Sequence, residues 1–145
     1  MRKLRVLTWV LGLLAITLGG SIYLFFRSEK LLMFEWLKKM GIYDSISAMR
    51  IETSDGGWLI YSLPDGLWLF SYILIMAALW SFEEKRTMLY SVPLVVIAIG
   101  SELLQFFHLI SGTFDVIDLL CYIGACIFGF VYVKIIINKL KRNKR

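Results

Sequence analysis

Four apolar runs decide what this chain can become. They cover about residues 6–26, 64–82, 88–110 and 114–138 of a 145-residue chain. A run of this kind reads as a crossing of a hydrocarbon core about 30 Å thick. No water is present there to bond backbone amides and carbonyls, so the runs must be helical. Hydrophobic residues make up 59% of the chain, too many for a soluble domain of this size. The expectation is an all-α, four-helix transmembrane bundle forming one domain over residues 1–145, with an extracytoplasmic loop at 27–63.

The first run follows Arg2, Lys3 and Arg5. A basic start and an apolar stretch also describe a cleaved signal peptide. This run is long for one and has no clear small-x-small cleavage site after it, so a retained helix is expected. Thr8, Gly12, Ala15 and Gly19 fall on one helical face and suit close packing against a neighbour.

The loop region is the only sizeable polar segment. Ser28 to Met40 mixes Leu31, Leu32, Phe34, Trp36 and Leu37 with Glu29, Lys30, Glu35, Lys38 and Lys39, ahead of Gly41. This predicts a short amphipathic helix lying on the membrane surface. Ser47 to Thr53 and Trp58 to Ser62 flank Ser54-Asp55-Gly56-Gly57, a pattern that predicts a β-hairpin. Trp58, Tyr61 and Trp68 are candidate interfacial anchors. Cys121 and Cys126 lie five apart in one run and point about 140° away from each other on a helix. They read as small packing residues.

Four spans put both ends on one side. That side carries eleven Lys and Arg residues and the other five. The positive-inside rule then places the termini in the cytoplasm. The net charge of +5 sits mostly at the chain ends, beside apolar runs, which suits anionic lipid headgroups. No basic patch with interleaved aromatics points to nucleic acid.

Ionisable groups inside apolar spans are functional candidates by default. Glu102 and Gln105 are three apart and share a helix face; so do Asp115 and Asp118 across the polar joint Ser111-Gly112-Thr113. Tyr122, Ala125 and Gly129 continue the face of Asp118. Asp65 follows Pro64 at the head of the second run, and Glu102 lies about 12 Å below the end of its own helix. The acids, the amide and His108 therefore gather in the outer half of the bundle. They suit a site for a polar or cationic headgroup, a proton or cation relay, or general acid and base groups. Plainer roles compete: Asp115 as a helix cap, Asp65 as a first-turn acid favoured by the helix dipole, His108 as a solvated interfacial residue, and Glu102 as interhelical glue. The spacing fits no standard zinc pattern, and no metal or other cofactor is expected.

Glu102-x-x-Gln105, the joint, Asp115-x-x-Asp118, Gly124 and Gly129 together resemble the core pattern of VanZ-like bacterial membrane proteins. Asp65 with Phe70 is similar to a reduced form of that family's other motif. The family commonly has Pro-Gly-Arg at the joint, where this chain has Ser111-Gly112-Thr113, and an asparagine where Tyr122 stands. The resemblance implies a bacterial inner membrane and a role in the cell envelope and glycopeptide tolerance. The expected binding residues are Glu102, Gln105 and Asp118, with Asp115 and Asp65 in support. The expected partners are membrane lipids and a lipid-linked envelope precursor, with homo- or hetero-oligomerisation open. A small ion-coupled carrier and a structural subunit of a membrane complex are the competing expectations.

Overall fold

A computed structural model describes residues 1–29, 31–51 and 57–143. Seven helices occur among them: α1 (Arg2–Phe26), α2 (Leu32–Lys39), α3 (Tyr43–Ser47), α4 (Gly57–Tyr61), α5 (Leu63–Leu79), α6 (Glu84–Phe106) and α7 (Val116–Arg142).

Three of these, α1, α6 and α7, are long and apolar enough to cross a membrane. This corrects the expectation of four spans. The 64–82 run yields an α5 of 17 residues. At 1.5 Å per residue that is roughly 25 Å, short of a full core. The run continues, but the helix does not. Ser81 and Phe82 take positive φ angles of 52° and 61°. The Phe82 amide turns back to the Ala77 carbonyl at 2.8 Å, a C-terminal cap in which non-glycine residues adopt the left-handed conformation.

The expected β-hairpin is also absent. No strand occurs among the described residues, and Gly57–Tyr61 is helical. Two short runs beside Asp-Gly have no third strand or sheet to join, and an isolated hairpin is marginal in water. The predicted turn at 54–56 lies outside the described residues.

α5 is the centre of the bundle. Its Leu69, Ile73, Leu74 and Ala77 join Phe82 and, from α7, Ala125, Val133, Ile136 and Ile137 in one buried cluster. α1 runs antiparallel to α5 and lays its small-residue stripe on it, with Thr8, Gly12, Ala15 and Gly19 all buried. A Cβ on Gly12 would stand 2.9 Å from Ile75, and one on Gly19 would stand 2.7 Å from the Trp68 indole. Ser71 Oγ donates to the Gly12 carbonyl at 2.7 Å, which satisfies a hydroxyl that the apolar interior would otherwise penalise.

α7 runs parallel to α5. Gly66 lies against Cys121, and Gly129 receives Ile73. α6 runs antiparallel to both, with Glu84 near the last turns of α7 and Glu102 near its start. Met1, Glu83 and Lys141 border one cavity, so both chain ends lie at the same end of the bundle. Outward-facing Leu14, Val96, Ile97, Phe128 and Ile135 remain exposed, as lipid contact requires.

At the opposite end, the chain between α1 and α5 folds back. Phe34 of α2 is fully buried while Leu32, Trp36 and Met40, spaced four apart, stay exposed along one face. Arg50 fixes this segment. It donates to the carbonyls of Leu24, at 2.6 Å, and Arg27, covers the Phe34 ring at 4.3 Å, and pairs with Glu29 at 3.6 Å. A guanidinium thus satisfies carbonyls that the last turn of α1 leaves free.

Candidate functional site

Three helices deliver three carboxylates to the end of the bundle remote from the termini. Asp65 sits in the first turn of α5, just after Pro64. Asp118 sits in the first turn of α7. Glu102 lies one turn before the end of α6 and is only 5% exposed. Asp65 and Asp118 are within electrostatic reach of each other, and both reach Glu102. Tyr122, one turn further along α7, is within electrostatic reach of all three. The parallel course of α5 and α7 brings their first-turn aspartates to one level. Asp118 Oδ1 is buried with no hydrogen-bond partner among the described residues.

Asp115 is also within electrostatic reach of Glu102, but its side chain is committed elsewhere, and Gln105 and His108 lie apart. Asp115 is the N-cap of α7, and its Oδ1 accepts from the Ile117 amide at 2.7 Å. Its own amide points to Glu102 Oε2 at 3.5 Å, a long contact. Gln105 packs under the joint instead. A Cβ on Gly112, whose φ is 137°, would stand 2.7 Å from its amide carbon. His108 is exposed in the left-handed region, with φ 56°. Among the described residues, no three His, Cys, Asp or Glu side chains are arranged to hold a metal ion.

Two residues not anticipated from the sequence complete the site. Tyr23, near the end of α1, donates its hydroxyl to Asp65 Oδ1 at 3.3 Å. Arg27 Nη2 donates to the same hydroxyl at 3.1 Å. The guanidinium lies 4.7 Å from the Tyr23 ring centre and 5.0 Å from that of Tyr61. Tyr23 in turn stacks on Trp68, with centroids 4.7 Å apart. Positive charge therefore approaches Asp65 from α1, while the joint has Thr113. The available signal was an arginine placed directly after a long apolar run, one turn beyond a tyrosine.

Inward from Asp65, a cavity of about 280 Å³ opens between α1, α5, α6 and α7. Asp65, Trp68, Tyr72 and Tyr122 give it a polar border, and Ile16, Leu94 and Ala98 give it apolar walls. The Trp68 indole N–H is buried without a partner among the described residues. No protein-family model matches the chain, and neither does any curated protein or solved structure. Chemically, the site offers acceptor oxygens in excess of donors. It is suited to a cation or to a group rich in N–H or O–H bonds.

Proposed function

We propose that this multi-span membrane protein is a VanZ-like protein of the bacterial inner membrane. In this reading it binds the amine- or hydroxyl-bearing headgroup of a lipid or cell-envelope precursor. Asp118, Asp65 and Glu102 contact the headgroup, Asp115 holds the start of α7, and Gln105 supports the joint. The observation that carries this reading is the buried, unpartnered Asp118 Oδ1 beside two further carboxylates. Carboxylates gathered in an apolar setting favour a bound cation or donor that offsets desolvation and mutual repulsion. Arg27 supplies one positive charge against three carboxylates, and its guanidinium reaches Asp65 through the Tyr23 hydroxyl.

Orientation supports an outward site, because α5, though short of a full core, runs back along α1 and returns the chain to the end where it began. Arg2, Lys3, Arg5, Lys139, Lys141 and Arg142 cluster at the end that holds both termini. The positive-inside rule assigns that end to the cytoplasm and the carboxylates to the outer half of the membrane.

The test is native mass spectrometry of the protein in mild detergent with phosphatidylethanolamine and phosphatidylglycerol in equal amounts. The wild type should retain the ethanolamine lipid preferentially. The double variant Asp65→Asn, Asp118→Asn should lose the preference while eluting as the same folded species. Equal retention of both lipids by the wild type would sink the reading. In cells, deletion of the gene should shift glycopeptide tolerance, and the double variant should fail to restore it.

A further inference from the structure

We infer that the cavity bordered by Asp65 and Tyr122 seats one acyl chain of that amphiphile, admitted sideways from the bilayer between α1 and α6. This deepens the headgroup reading and rests on it for the identity of the polar end. α1 and α6 both pack on α5 and leave a gap between themselves rather than forming an interface. The cavity lies in that gap, with Ile16 contributed by α1 and Leu94 and Ala98 by α6.

Its chemistry is graded along the bundle. Asp65 and Tyr122 stand at the end near the carboxylates, and Trp68 follows one turn inward on α5. Further inward the walls are Ile16, Leu94, Ala98 and Ile75, and the two hydroxyls found there are already spent, Ser71 on the Gly12 carbonyl and Tyr72 on the Tyr90 carbonyl. An ammonium fits beside Asp65, where negative charge is in excess. The Trp68 indole nitrogen packs against Gly19 of α1, so Asp65 and Tyr122 are the polar groups left to meet the head of the molecule. The hydrocarbon then points toward the middle of the membrane. This is the order in which a leaflet lipid presents its parts. A volume of about 280 Å³ takes a chain segment. It does not take a second helix, which is about 10–12 Å across with its side chains.

The probe is phosphatidylethanolamine carrying a diazirine in one acyl chain, incorporated with the full-length protein in phosphatidylcholine nanodiscs. After illumination, adducts are mapped by peptide mass spectrometry. They should concentrate on Ile16, Leu94 and Ala98. Ala98→Trp should reduce them roughly tenfold. If Ala98→Trp does not fold, Ile16→Trp fills the gap from α1, where the side chain is already 44% exposed. Adducts spread over Leu120, Phe128 and Ile135, unchanged by either substitution, would overturn the inference. Adducts confined to the separate apolar groove between Phe70 and Phe128 would overturn it as well. The two readings fail differently. Cavity labelling that ignores Asp65→Asn and Asp118→Asn keeps the chain seat and removes the headgroup site. Acid-dependent lipid retention without cavity labelling removes the chain seat alone.

Discussion

The Tyr23 hydroxyl donates to Asp65 Oδ1 across 3.3 Å and ties the last turns of α1 to the first turn of α5. The same oxygen accepts from Arg27 at 3.1 Å, so one phenol relays between a cation and a carboxylate. Tyr23→Phe should keep the stack on Trp68 and lose both bonds. The expected loss of stability is about 1 kcal/mol, read by SDS titration or thermal unfolding in detergent. Arg27→Ala should also remove positive charge from beside Asp65 and strengthen retention of an amine-bearing lipid. Weaker retention in Arg27→Ala would show that the arginine itself contacts the ligand.

Asp115 should behave as a cap. Asp115→Ala should destabilise by about 1 kcal/mol, while Asp115→Ser, which still offers an oxygen to the Ile117 amide, should recover most of it. Lipid selectivity should survive Asp115→Ser. Loss of selectivity at full stability would move Asp115 into the binding group.

Close approach of α5 and α7 makes a sharp contrast between two glycines. A Cβ on Gly66 would stand 3.0 Å from the Cys121 carbonyl oxygen, and backbone cannot yield as a side chain can. Gly66→Val should cost roughly 1–3 kcal/mol by overpacking. Gly124 has open space where a Cβ would go, so Gly124→Ala should be neutral or slightly stabilising. Unfolding midpoints of the two variants in one detergent decide this. Equal midpoints would contradict the packing described.

Arg50 is 11% exposed and holds the returning loop through two carbonyls, an aromatic face and Glu29. Arg50→Ala should release that segment, with faster amide hydrogen exchange over residues 43–51 and a loss of roughly 1.5–3 kcal/mol. Arg50→Lys should not restore protection, since one ammonium does not reproduce a planar fork that bonds and stacks at once. Full protection in Arg50→Lys would reduce the residue to a simple charge.

Local features were legible in the sequence to different depths. The stripe Thr8, Gly12, Ala15 and Gly19 could be read because helical spacing alone puts it on one face. The capping position of Asp115 was visible among the alternatives because a polar joint precedes an apolar run. The end of α5 was not visible. Ser81 is the lone polar residue between Leu79 and Phe82, too brief an interruption to mark a helix end, and the turn there depends on backbone angles that the run does not encode. The same apolar continuity produced one span too many. Asp-Gly suggested a hairpin, but turn chemistry cannot supply missing strand partners. Tyr23 and Arg27 were passed over because their roles arise only when α1 packs on the head of α5, and Arg50 because its role arises only when the loop returns over α1. The trio of Asp65, Asp118 and Glu102 was half legible. Each acid stood out in its own run, yet only the parallel packing of α5 on α7 brings the two aspartates to one level.

The central position of α5 also orders the birth of the protein. α5 is the shortest of the four main helices, and it emerges from the ribosome long before α7, which covers one of its faces. Before α6 follows, only α1 is available to shield it, through the stripe that ends at Gly19 and the bond from Ser71 to Gly12. The α1–α5 pair is therefore the natural first assembly unit at the translocon. Its open flank, with Gly66 and Ile73, waits for Cys121 and Gly129. The final helix thus brings Asp118 to the carboxylate cluster and closes the open flank of α5.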